Sequence, residues 1–267
     1  MGSEHTQQGH RIRLDWGTSG AQAVAGSADI AVVCDVLSFT TTLTVAVDLG
    51  AEVYPYAWRD DGVVEYAAAR DATYAVGRFE ARDSDSLVAV SLSPASLRAA
   101  TGLRRLVLPS PNGSTISTHL RDRGLTVVGA ALRNRTAVAT WLATRMAEPT
   151  TTLALVAAGE RWPDRSLRPS VEDLWGCGAV LSALLGLLPH LRAELSPEAQ
   201  VAVHAYTAIK RDLTPALLDC ASGQELLAMG FRDDVLAAAD VDSSSAVPLL
   251  AGERFVDAAR PAGSLAS

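Results

Sequence analysis

The segment LVLPSPNGSTIS, residues 106–117, reads as a short β-strand ending at Pro109. It turns through Pro111-Asn112-Gly113 and opens a helix at Ser114 or Thr115. A strand that breaks into a Pro/Asn/Gly turn ahead of a Ser/Thr-capped helix aims several backbone N–H groups at one spot. The helix dipole adds partial positive charge there, so the spot suits an anion, phosphate in particular. An isolated Asn-Gly pair is only a turn. Its place between a strand and a hydroxyl-capped helix gives it weight.

Working outward, similar strand signals recur. Apolar, β-branched runs lie at 30–36, 52–56, 74–76, 105–108, 125–129 and 152–157, with helical patterns at 41–49, 62–70, 115–123 and 134–146 between most of them. Strands that are apolar without alternation, spaced by helices, predict an α/β fold: three layers, α/β/α, around a mainly parallel sheet. After Gly159 helices dominate, at 170–188, 197–210, 213–219, 223–229 and 232–239, with a late strand at 247–250. Ser170 followed by Asp173 resembles a capping box. The expected organisation is a disordered start at 1–10, one domain over 11–260 with any subdomain division near 150–170, and a frayed end at 261–267.

Composition narrows the function classes. At 267 residues the chain can bury a large core, and 48% apolar with 20% charged residues is ordinary for a globular protein. The net charge of −7, with no Lys/Arg block, argues against nucleic acid and acidic membranes as partners. Positive charge is almost all arginine, Lys210 being the only lysine. GC-rich coding explains that, and guanidinium forks also suit acidic ligands. Cys34, Cys177 and Cys220 are scattered in apolar surroundings, as buried thiols of a reducing compartment are. With no signal peptide and no span-length apolar run, the expected location is cytoplasmic. The apolar helix face at 181–188 suits a core or a homodimer seam equally well.

Four predicted strands end in polar segments: Asp35 with Ser38, Thr40, Thr41 and Thr42 after it; Ser110–Thr115; Arg133-Asn134-Arg135; and Glu160-Arg161. Ligands of open parallel sheets bind beyond the carboxyl ends of the strands, so parallel strands would bring all four to one edge. Asp35 is either a cap for the next helix or a Mg²⁺ ligand or acid–base group. Glu172-Asp173 are first-turn dipole partners or cation ligands, and Glu160 is a similar case. His119, His190 and His204 have no partner at metal spacing. The P-loop and the G-x-S-x-G elbow are absent. Gly176-Cys177-Gly178 lacks the last glycine of a dinucleotide fingerprint, and the two Asp-x-Asp pairs, at 83–85 and 240–242, do not follow apolar strands.

At these residues the chain resembles the 2-phosphosulfolactate phosphatase (ComB-like) family. The likeness rests on AVVCDVLSFTTT (31–42), PNGS (111–114), Leu132-Arg133-Asn134, AAGE (157–160), SVEDLWGCGA (170–179), CASG (220–223) and an ending that runs from Asp234-Val235 to Val247-Pro248. It spans roughly 12–256 in the right order. The resemblance implies a three-layer α/β/α, Mg²⁺-dependent phosphatase; the type reaction removes phosphate from 2-phospho-3-sulfolactate. Two arginines that the resemblance implies are missing, since Ser38 follows Asp35-Val36-Leu37 and Thr115-Ile116 follow the Asn-Gly-Ser turn. Arg133, Arg135 and Arg161 are the candidate replacements.

The expected site therefore has Asp35, Glu172 and Asp173 in catalysis. Ser38, Thr40, Thr41, Asn112, Gly113, Ser114, Arg133, Asn134 and Arg161 would bind a small phosphorylated hydroxy-acid. Asp35, Glu160, Glu172 and Asp173 would hold Mg²⁺. Attack by a metal-bound water is preferred to attack by Asp35 itself. The alternative is a sensor or binding protein for a phosphorylated metabolite, without turnover.

Overall fold

The computed structural model describes residues 3–57, 62–78 and 89–260. The fraying expected at 261–267 and the Asp-x-Asp at 83–85 lie outside these residues. The stretch expected to be disordered, 1–10, carries a 3₁₀ turn at Ser3–Thr6, and the Gln7 amide exchanges two hydrogen bonds with the Leu14 backbone.

The strands β1 (Ile12–Trp16), β2 (Ile30–Cys34), β3 (Glu52–Ala57), β4 (Thr73–Val76), β5 (Ala89–Ser91), β6 (Arg105–Ser110), β7 (Thr126–Ala130) and β8 (Leu153–Ala157) belong to one sheet. A short hairpin, β9 (Glu160–Arg161) with β10 (Leu167–Arg168), stands apart from it. The hairpin β11 (Pro248–Ala251) with β12 (Arg254–Asp257) completes the large sheet. The order is β1-β8-β2-β7-β11-β12-β3-β6-β4-β5, ten strands in all.

The chain is α/β and mostly parallel, but it is not the uniform open sheet that the alternation suggests. Two parallel sets of four are joined by the antiparallel hairpin, which touches β7 through Leu249–Val128 and β3 through Phe255–Val53. The C-terminal hairpin thus sits mid-sheet, weaving the end of the chain into its first half. Each junction is antiparallel, so the two sets run in opposite senses along the ladder. Five ladder steps separate β2 from β6. At about 20–25° of twist per step the sheet rotates through more than a right angle between them. The loops that follow β2 and β6 nonetheless meet, through Asp35 and Gly113.

Continuous apolarity has the expected cause. On β2, Ala31 and Val33 face one core with α1 (Gly17–Ala25), α2 (Phe39–Asp48) and the helix Gly113–Asp122. Ile30, Val32 and Cys34 face the other, packed by the helices Arg135–Met146, Val171–Leu187 and Pro197–Ile209. A strand covered on both faces has no solvent side for polar residues. Numbering the remaining helices in chain order gives α3 (Gly62–Ala68), α4 (Pro94–Leu97), α5 (Gly113–Asp122), α6 (Arg135–Met146), α7 (Val171–Leu187) and α8 (Pro197–Ile209). They are followed by α9 (Leu213–Asp219), α10 (Ala221–Ala228) and α11 (Arg232–Ala239). The apolar face expected at 181–188 is mostly spent inside the protomer, with Leu181, Leu184 and Leu185 buried and Leu187 exposed. No helix among the described residues is long and apolar enough to cross a membrane.

Candidate active site

Asp35 follows the last residue of β2 and is 7% exposed. Its carboxylate lies between two helix starts. Phe39 N, at the head of α2, donates to Oδ1 at 3.1 Å, and Gly113 N, at the head of α5, donates to Oδ2 at 3.0 Å. The anion cradled by the Asn-Gly turn is therefore the protein's own carboxylate. β6 runs one residue further than Pro109, to Ser110, and α5 opens at Gly113. Ser110 Oγ accepts from both Asn112 N and Gly113 N, which tightens the turn.

Burial pushes the Asp35 carboxyl up to about 7 against the pull of the Phe39 and Gly113 amides, and Glu160 and Glu172 add like charge. Glu160 leads β9; its Oε1 accepts from Asn112 Nδ2 at 2.7 Å and its Oε2 from Arg161 N. Burial raises its carboxyl too. Glu172 is buried in the first turn of α7, and its charge adds to the burial that, chiefly, pushes the Cys220 thiol up to about 12; that thiol donates to Leu217 O.

Asp173 does something else. Its Oδ1 accepts from Val36 N at 2.7 Å and its Oδ2 from Gly159 N at 2.8 Å, so it ties the ends of β2 and β8 together. Burial, then Glu172 and Asp35, hold its carboxyl well above the usual range. The capping box expected at Ser170 does not form: Asp173 N bonds the Ser170 carbonyl, and Ser170 Oγ is buried without a partner.

Several expected ligand donors are committed to the backbone. Thr40 Oγ1 bridges Asp35 O and Asp35 N, Thr41 Oγ1 donates to Val36 O, and Ser114 Oγ donates to Leu108 O. They fix the two loops rather than meet a ligand. Arg133 and Asn134 are not brought to the site. Arg133 is buried against Thr44, Ala237 O and Asp48, and Asn134 staples Ala131 N, Gly129 O and Ala246 O. Arg135, the other candidate replacement, pairs with Asp242 at 2.8 Å. Their strand-end position suggested otherwise, but the chain after β7 turns toward the C-terminal end of α2.

The structure adds a residue that sequence reasoning missed. Arg78, just after β4, donates from one Nη to Ser38 Oγ at 2.6 Å, so Ser38 receives from afar the guanidinium that the resemblance implies at its own position. A cavity of about 390 Å³ opens here, lined by Asp35, Ser38, Thr42, Arg78, Asn112, Glu160 and Arg161 among others. No helical or strand periodicity marks Arg78, and its ion-pair partner, Asp234, is distant in sequence.

The donor chemistry fits a hard cation in kind. Asp35, Glu160 and Glu172 form an acidic, oxygen-only group, and Mg²⁺ takes one or two carboxylates, several waters and a phosphate oxygen. Among the described residues no three His, Cys, Asp or Glu side chains are preassembled around one point. Water and substrate would therefore complete the coordination shell. Asp173 has both oxygens on amides, as Asp35 does, but unlike Asp35 it does not line the cavity, and so it fits a clamp better than a ligand.

Comparison with known proteins identifies relatives of this chain. A probable 2-phosphosulfolactate phosphatase of Parasynechococcus marenigrum (strain WH8102) is 34% identical over 229 residues, covering 83% of this chain and 89% of the relative. Another, from Synechococcus sp. (strain RCC307), is 32% identical over 229 residues, covering 84% and 89%. The family model for 2-phosphosulpholactate phosphatase matches residues 20–253, a span that holds Asp35, the Asn112-Gly113 turn, Glu160 and Glu172, and so the chain belongs to the 2-phosphosulpholactate phosphatase family.

Proposed function

We propose that the protein is a Mg²⁺-dependent phosphatase that hydrolyses 2-phospho-3-sulfolactate to 3-sulfolactate and inorganic phosphate. The observation that carries this reading is Asp35 held between the starts of α2 and α5 at the edge of a cavity that also holds Arg78 and Arg161. Asp35 and Glu160, with Glu172 behind them, would hold Mg²⁺, which supplies positive charge to the phosphoryl oxygens. Asn112 positions Glu160 through its 2.7 Å bond. The amides of Phe39 and Gly113 fix the Asp35 carboxylate in orientation, so it can take a proton from an incoming water without reorganising. Arg161, at the mouth of the cavity, faces developing negative charge. The phosphoester P–O bond breaks, water supplies the new P–O bond, and the substrate oxygen leaves as the hydroxyl of sulfolactate with the proton that Asp35 took from the water.

The three thiols, all buried and none in a disulfide, support a reducing, cytoplasmic setting. The test is phosphate release from 2-phospho-3-sulfolactate with Mg²⁺ and with chelator. Release that needs Mg²⁺ and disappears in Asp35→Asn is expected. Ligand-induced thermal stabilisation of folded protein with no release would instead make it a binding protein.

A further inference from the structure

Asp234 lies in the first turn of α11 and is 1% exposed, and the mechanism above leaves it without a task. Its Oδ2 accepts from Arg78 Nε at 2.6 Å, while its Oδ1 accepts from Ser93 Oγ and, at 3.3 Å, from Ala95 N at the head of α4. Both oxygens are thus fixed by groups that cannot follow a ligand. The Phe231 ring, 5.6 Å from the Arg78 guanidinium carbon, flanks the fork. Three elements, β4, α4 and α11, converge to hold one guanidinium at the cavity. The Arg78 side chain keeps partial exposure, 18%, where that of Asp234 has 2%.

An ion pair that only stitched α11 to β4 would have no reason to end in the cavity. Here the outer Nη of Arg78 reaches Ser38 Oγ, a neutral acceptor that an incoming anion can displace. On the phosphatase reading, a cation held by Asp35 and Glu160 would draw the phosphate end of the substrate to their part of the cavity. Arg78 lies on the Ser38 side of the same cavity. We propose that Arg78 grips the non-phosphate acid group of the substrate, a sulfonate or carboxylate, and that Asp234 is its positioning residue. The inference rests on the phosphatase reading for the identity of the ligand. It is a claim about which end of that ligand meets which residue.

The test is calorimetric titration of 3-sulfolactate, and separately of inorganic phosphate, into wild type, Arg78→Gln, Arg78→Lys and Asp234→Asn. Arg78→Gln should weaken sulfolactate by tenfold or more and leave phosphate within twofold. Arg78→Lys keeps the charge but loses the fork, and should fall between. Asp234→Asn keeps an acceptor for Ser93 and Ala95, so a several-fold loss confined to sulfolactate marks positioning rather than general damage. If Arg78→Gln does not fold, Arg78→Lys and Asp234→Asn decide the matter by the same ratio. Equal losses for both ligands, or no loss of sulfolactate, would overturn the assignment. So would wild type that binds no sulfolactate. Sulfolactate binding that depends on Arg78, in a protein that releases no phosphate, would uphold the assignment while removing the phosphatase reading.

Discussion

Asp35 Oδ2 and the amide nitrogen of Gly113 are 3.0 Å apart, and this contact joins the two halves of the sheet at the candidate active site. It requires glycine. A Cβ at Gly113 would lie 2.2 Å from Phe39 Cδ1 and 2.7 Å from Asp35 Oδ2. Phe39 cannot step aside freely, since its ring packs edge-on against Phe255 in the buried core. Gly113→Ala should therefore cost about 1–3 kcal/mol of stability by overpacking. It should also lower phosphate release by about tenfold or more through misplacement of Asp35. Thermal melts and a release assay check both; an unchanged activity would mean that the turn does not set the position of Asp35.

Much of this was legible in the sequence, for identifiable reasons. β2, β6 and β8 are buried, so their apolar runs and polar ends stand out. β1 escaped notice because Arg13 and Asp15 interrupt its run, although Arg13 is itself buried, donating to His10 O and Ser27 Oγ. Arg133 and Asn134 look like site residues because they follow a strand. Only the packing reveals that they serve the α2 and β11 side. Arg78 was out of reach because its partner is Asp234, a pairing that no local pattern encodes. The sequence also marks Asn-Gly as an anion turn without telling that the anion is Asp35.

The acids predict a pH dependence. Asp35 moves from an ordinary 3.8 to about 7 on folding, mainly through burial, and Glu160 and Asp173 shift the same way. A carboxyl raised in the folded state favours the protonated form. Its stabilising contribution is complete below about pH 4 and fades as the pH climbs through 7. In chelator, the stability of Asp35→Asn relative to wild type should improve steadily between pH 5 and pH 8. Urea midpoints across that range are the measurement. A constant difference would mean that Asp35 is not perturbed as its surroundings imply.

Arg133 and Arg161 should separate stability from function. Arg133 is buried with Asp48, Thr44 and Ala237 O. Arg133→Met strands those partners and should cost about 2–4 kcal/mol, with KM within twofold of wild type. Arg161 lines the cavity on an exposed hairpin, so Arg161→Ala should melt within about 0.5 kcal/mol of wild type yet raise KM severalfold. The reverse pattern would return Arg133 to the binding site.

The cluster of Asp35, Glu160 and Glu172 makes cation binding measurable without turnover. Burial, with like charge from neighbouring acids added to it, makes Asp35 and Glu160 costly to ionise, and this destabilises the folded chain at alkaline pH. A cation bound only by the folded state relieves this, contributing about 2.7 kcal/mol at a hundred times its Kd. Adding Mg²⁺ to chelator-treated protein at pH 8 should raise Tm by a few degrees. The rise should shrink at pH 5, where Asp35 holds its proton, because cation and proton compete for the same carboxylate. Asp35→Asn and Glu160→Gln should abolish it, whereas Arg133→Met, remote from the cluster, should keep it from a lower baseline. If Tm does not move with Mg²⁺ at pH 8 in well-folded wild type, the acids are not a cation site. Charge neutralisation at the phosphoryl group would then fall to Arg161.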